Sequence, residues 1–267
     1  VFAIGKISIF YQSVKVEATP SKTKESQMAV GFFNPEGIFA SLVGTSVGEV
    51  QTTNHSTSQQ RAQAVDKNGD EKSSTLYGGQ DSITETFKVY QAEGTFSVAN
   101  IAPGKRVADP NDQDEYYHID NVTVTYTPTD YPEVSISAHK HTDVSDGKHS
   151  HGTEHRFLTP SLTLPAGFGA CGIAALVGAD SDPSVAVSGA TYTLGITHED
   201  ATDCGGAYLA SENRDPVETL AVNFVGIATP TMSGWDMTAS SEDRSNTAAE
   251  TSSFTFEKHG STGGSGS

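Results

Sequence analysis

The chain has no long apolar run, little cysteine, few basic residues and no extended stretch of strong helix formers, and each shortage removes a class of protein. No apolar segment approaches the roughly 20 residues that a membrane-spanning helix requires, so a soluble protein without a membrane partner is expected. Val1–Phe10 is apolar but broken by Lys6 and followed by no small-residue cleavage pattern, so it reads as a first strand and not as a signal peptide. Two cysteines, Cys171 and Cys204, in 267 residues are as compatible with one disulfide as with two buried thiols. Sixteen Lys and Arg stand against 33 Asp and Glu, a net charge of -17 that repels phosphate and argues against a sequence-reading nucleic-acid binder. Without a long Ala/Glu/Lys/Leu/Arg stretch, a helical bundle is not expected.

What remains is a chain rich in Gly, Ser and Thr with period-two alternation, the pattern of strands that bury one face. It runs through Ile7–Ile9, Val14–Val16, Val122–Tyr126, Val134–Ile136, Leu162–Leu164, Tyr192–Leu194 and Phe254–Phe256. Turn-forming clusters separate these strands, among them Asp66–Asp70, Ala102–Gly104, Asp109–Asp112 and Ser181–Pro183. The spacing predicts an all-β protein, an antiparallel β-sandwich or barrel. Helix is expected only in short pieces, at Ala170–Gly178 and Gln59–Val65.

The expected organisation is N-terminal strands over 1–43, a long polar loop or arm over 44–82, a first β-domain over 83–167, a Gly-rich linker over 168–183 and a second β-domain over 184–259. The arm is rich in Thr, Ser, Gln and Asn and has too few large apolar residues to fold alone. The two domains are suggested by a short repeat. Asn121–Thr129 lies on Asn223–Thr231 at a constant offset of 102 residues, and each copy continues into an alternating strand. Gly260–Ser267 has the composition of an engineered linker and is set apart from the fold.

Three motifs suggest chemistry and fail on context. Gly44–Gly48 fits the G-x-S-x-G nucleophile turn, with Ile38–Val43 as the strand before it, but Glu49–Asn54 is a poor helix opening. Gly167–Gly172 fits G-x-G-x-x-G, yet the apolar run after it ends within about two turns and no βαβ unit surrounds it. Asp66, Asn68 and Asp70 are spaced like the first ligands of a calcium loop, but Glu71 and Tyr77 stand where that loop needs glycine and a bidentate glutamate.

Histidine is the strongest chemical signal. Five of nine fall within seventeen positions: His139, His141, His149, His151 and His155. On a strand, H-x-H places both rings on one face. A hairpin turning at Asp146–Gly147 would let His139, His141, His149 and His151 present four nitrogens to zinc, nickel or iron. The simpler reading is a solvated hairpin tip that holds no cofactor.

With acidic Ser/Thr-rich strands, a long polar arm, a repeated segment and no catalytic constellation, the chain resembles bacteriophage tail-tube proteins and related virion components. The resemblance implies a non-enzymatic subunit that assembles with copies of itself and other virion proteins into rings or a tube. It also implies an acidic lumen through which DNA passes without specific binding. The competing reading is an extracellular carbohydrate-binding or adhesive β-sandwich module, using aromatics such as Tyr116, Tyr117, Tyr131 and Trp235.

Overall fold

The computed structural model describes residues 37–43, 47–90, 94–110, 112–142, 155–169, 171–179, 184–204, 208–260 and 262–265, all within one compact unit, Asn34–Ser267. In chain order the elements are α1 (Ala40–Val43), β1 (Val47–Val65), β2 (Glu71–Val89), β3 (Thr95–Phe96), β4 (Arg106–Asp109), β5 (Asp112–Tyr126), β6 (Glu133–His141), β7 (His155–Leu158), β8 (Leu164–Pro165), α2 (Cys171–Leu176), β9 (Ala186–Thr202), β10 (Tyr208–Val225), β11 (Asp236–Asp243), β12 (Thr251–His259) and β13 (Thr262–Ser265). The protein is all-β and antiparallel. Among the described residues nine strands form one sheet in the order β1-β2-β6-β5-β9-β10-β12-β11, with β4 on the flank of β5, and they do not close it into a barrel.

Alternation in the sequence becomes rows across this sheet. Phe87, Val134, Val124, Tyr192, Leu220 and Phe256 are consecutive cross-strand partners, all buried. Burying each such side chain contributes about 1.5–3 kcal/mol. A layer of short segments covers them, including Phe39, Ile101, Leu158, Leu164, Ile173 and Val177. The opposite face carries hydroxyls: Thr86, Ser135, Thr123, Thr193 and Thr219 also succeed one another across the strands and are half-buried.

Two buried glutamates fasten the covering layer. Glu85, Ile136, Val122, Leu194 and Glu218 form one cross-strand row, and both carboxylates are fully buried. Glu85 accepts backbone N–H bonds from Ile38 at 2.8 Å and Ala40 at 2.9 Å, with Phe39 at 3.3 Å. Glu218 accepts from the Ser161 N–H at 3.0 Å, the Ser161 hydroxyl at 2.9 Å and the Tyr192 hydroxyl. Carboxylates tolerate such burial because donors replace their lost water.

Several expectations are corrected. Residues 44–82, expected as a long polar loop or arm, are not a loop: their described part is a β-ribbon of β1 with the first part of β2, each strand 19 residues long and β2 running on to Val89. Gln51–Val65 is exposed along its whole length, so the ribbon is held by its backbone ladder and polar side-chain pairs such as Thr57 with Asp81, and needs no apolar face. Gln59–Val65 is therefore strand, not helix. Ile38–Val43, read as a strand, contains α1, whose first N–H groups face Glu85. Of Leu162–Leu164 only Leu164 is in a strand, and Thr262–Ser265, set apart as linker, pairs with β7. Cys204 is a free, exposed thiol, so the disulfide is not formed. Val1–Phe10 and Val14–Val16 lie outside the described residues.

The halves 83–167 and 184–259 meet edge to edge in the same sheet, through β5 and β9. The 102-residue offset lays β5 on β10 and β6 on β11. Yet β5 and β6 pair, whereas β12 separates β10 from β11. A different repetition is visible in the topology: β1-β2-β6-β5 and β9-β10-β12-β11 each run first, second, fourth, third.

Candidate metal centre

The ladder between β5 and β9 stops at Asn121 with Gly195. Beyond it β9 stays with β10, paired as far as Thr202 with Tyr208, while β5 stays with β4 and β6. The sheet therefore forks. Irregularities mark the fork on both sides: a register shift between Ile119 and Asn121 in β5, and another between Arg214 and Val217 in β10, where Asp215 has φ 49°. Bulges of this kind bend strands and re-aim side chains.

Residues two apart on a strand share a face, and three such pairs converge here: His118 and Asp120 on β5, His139 and His141 on β6, His198 and Asp200 on β9. Ligand atoms of His139, His141, His198 and Asp200 all lie within 4.8 Å of one another. His139 and His141 are buried and His198 nearly so, while the Asp200 carboxylate keeps about a third of its surface in solvent. The His139 and His198 rings meet edge to face at 4.6 Å, His118 stacks on His139 at 5.6 Å, and Tyr208 stacks on His141 at 3.8 Å.

Hydrogen bonds fix two of the imidazole tautomers. His139 Nδ1 is 2.8 and 3.0 Å from the oxygens of Asp120, which only accept, so Nδ1 carries the proton and donates. Its Nε2, on a side chain 4% exposed, has no hydrogen-bond partner among the described residues. Asn213 Nδ2 donates to the Arg156 carbonyl at 2.9 Å, which turns Asn213 Oδ1 toward His198 Nδ1 at 2.7 Å. That Nδ1 must donate as well. In the neutral ring, His198 Nε2 then presents a lone pair to Asp200 Oδ1 only 2.8 Å away.

Two lone pairs so placed repel unless a cation lies between them, and the cation is a proton or a metal. Burial pulls His198 down, but the carboxylate of Asp200 and the amide of Asn213 outweigh it and leave the group above its ordinary value. Asp200 answers in kind: burial raises it, while contacts with His141 and His198 hold it far below the usual carboxylate range. A carboxylate or amide oxygen behind the ring, as Asp120 stands behind His139 and Asn213 behind His198, is the arrangement that orients histidine ligands in metalloproteins.

Of the four histidines expected to act together, His139 and His141 are in this cluster, and His149 and His151 lie outside the described residues. The hairpin meant to join them does not flank His139, because Ser82 on β2 and His118 on β5 occupy its two sides. His198, Asp200, Asp120 and Asn213 were not anticipated. Their trace in the sequence is the H-x-D spacing at His118–Asp120 and His198–Asp200, which carries the same period of two as H-x-H.

The Asp66 carboxylate accepts the N–H groups of Asn68 at 2.8 Å and Asp70 at 3.0 Å and pairs with Lys72, so it shapes the ribbon's turn. Gly167 and Gly169 sit at φ 98° and 83° ahead of the six-residue α2. Gly44–Ser46 lies outside the described residues, and the next element along the chain is the strand β1 instead of the helix that a nucleophile turn requires. Among the described residues no helix is long and apolar enough to cross a membrane. No known family model matches the chain, and no curated protein matches its sequence.

Proposed function

We propose that this chain is a non-enzymatic structural subunit that assembles with copies of itself into rings or a tube. Its two sheet edges and its projecting ribbon carry this reading. Among the described residues β1 pairs only with β2 and β11 only with β12, so Thr52–Val65 of β1 and the whole of β11 each present an edge to which no other described strand is hydrogen-bonded. Every residue of β11 is exposed, as is Gln51–Val65 in β1. Long open edges of this kind are templates for strand addition, and natural proteins leave them open mainly where a partner completes them.

The finer reading is a tail-tube or related virion subunit. A sheet face of small hydroxyls on a chain of net charge -17 suits a lumen along which DNA moves without adhering. In the second reading, an extracellular adhesive module, the aromatic group of Tyr90, Tyr131 and Phe168 would receive a sugar. Its rings meet edge to face at 5.1 and 5.6 Å, and Phe168 is 61% exposed. Trp235 is less suited to that task, since it packs on the core beside Tyr192 with Lys258 above it.

Electron microscopy and sedimentation of the full chain at rising concentration test the proposal. Rings or filaments are expected. Replacing Arg61–Leu76 with an Asn-Gly turn should leave the β2–β6 ladder intact and abolish or shorten the assemblies. A chain that stays monomeric under all conditions, and binds glycans in a manner lost on Phe168→Ala, would replace this reading with the second.

A further inference from the structure

The histidine cluster sits where the sheet forks, away from both free edges, and its chemistry does not depend on assembly. We propose that His139, His141, His198 and Asp200 form a structural binding site for a divalent first-row transition ion, most simply zinc. Three imidazole nitrogens and one carboxylate make up a complete tetrahedral shell, the form of site that stabilises a fold and leaves no position open for substrate. The absence of thiolate and the excess of nitrogen favour zinc, nickel or cobalt over magnesium and calcium, which take oxygen ligands.

Geometry supports this at three points. First, the buried His139 Nε2 has no hydrogen-bond partner among the described residues and holds a lone pair directed by the Asp120 bond behind it. Second, Asn213 holds His198 with Nδ1 protonated and Nε2 facing a carboxylate oxygen at 2.8 Å, a contact that places a cation, a proton or a metal ion in its stead, between the two atoms. Third, both orienting bonds are made by buried or half-buried partners on neighbouring strands, so His139 and His198 are positioned before the ion arrives. A tetrahedral ion with bonds of about 2.0–2.2 Å holds its ligand atoms roughly 3.3 Å apart. Asp200 already stands near that spacing, 2.8 Å from His198 Nε2 and 3.3 Å from His141 Nε2, and the widest pair, at up to 4.8 Å, must close by about 1.5 Å.

The site joins β6 to β9 across a gap where no backbone ladder connects β5 with β9. An ion there would clip shut the fork between the two halves of the sheet. Charge is also balanced: the divalent ion faces Asp200 directly and Asp120 through His139.

The test uses the full chain, freed of metal by a chelator and confirmed as folded by circular dichroism. Titration with zinc should show one equivalent bound and a rise in melting temperature, and Co2+ should give the visible absorption of a tetrahedral nitrogen–oxygen site. His139→Ala should abolish both signals. Asp200→Asn, at a position partly open to solvent and so compatible with folding, should weaken binding at least tenfold. Asp120→Asn, which keeps the side chain's size but removes the charge behind His139 and weakens the orienting bond, should weaken it by about 10- to 100-fold. His55→Ala, on the exposed ribbon, should change nothing. No stoichiometric zinc on the folded wild-type chain would overturn the proposal, and so would binding that survives Asp200→Asn and Asp120→Asn with unchanged affinity.

Discussion

Glu85→Gln tests how the covering layer is held on the sheet. The carboxylate is fully buried and receives two short backbone bonds, from Ile38 on one oxygen and Ala40 on the other. Glutamine keeps the shape but offers one acceptor oxygen, so one of these N–H groups would face an NH2 group. A buried donor left without a partner costs about 1–3 kcal/mol. The relief from burying an amide in place of a charge offsets part of that. The expected loss is about 2 kcal/mol, seen in urea denaturation as a lower midpoint at unchanged slope. Its pH dependence is the sharper arm. Burial raises the Glu85 carboxyl above its ordinary value of 4.5, and the N–H groups of Ala40, Ile38 and Phe39 only partly oppose this. The folded protein thus binds a proton more readily than the unfolded chain, so the contribution of Glu85 is full below the unfolded value and is lost as pH rises through the folded one. The deficit of the glutamine variant should be larger near pH 4.5 than at neutral pH. A deficit that grows toward neutral pH would show that the N–H groups outweigh burial, and no deficit at any pH would show that Glu85 does not hold the layer.

Two further outcomes are expected from the geometry. Asp109→Ala removes the carboxylate 2.7 Å from the buried ammonium of Lys140 and should cost about 3–5 kcal/mol, since it takes this counter-ion from a buried charge; a loss below about 1 kcal/mol would show that Asp109 is not what holds that ammonium in place. Gly104 and Gly69 have nearly the same φ, 85° and 86°, but a methyl at 104 would meet the Arg156 carbonyl at 2.4 Å, while one at 69 meets nothing within 4 Å. Gly69→Ala should cost only the backbone strain of about 1–2 kcal/mol, and Gly104→Ala clearly more. Equal midpoints for the two variants would contradict the close approach at 104.

The strand-forming character of this protein is legible in its residues, because a pleated strand turns burial into alternation that needs no partner to be read. Val122–Tyr126, Val134–Ile136, Tyr192–Leu194 and Phe254–Phe256 all lie in the sheet. The ribbon escapes such a reading for the converse reason: Gln51–Val65 buries neither face, so its structure rests on backbone pairing with β2, which leaves no mark in hydropathy. Buried Glu85 and Glu218 are equally hidden, since a carboxylate enters a core only when distant N–H or O–H groups converge on it. Half of the candidate site can be read locally. His139 and His141 share a face by spacing alone. Their pairing with His198 and Asp200, from a strand more than fifty residues away, depends on the order β6-β5-β9 and on the place where one ladder ends. Local spacing decides which side chains point together; only the packed sheet decides what they point at.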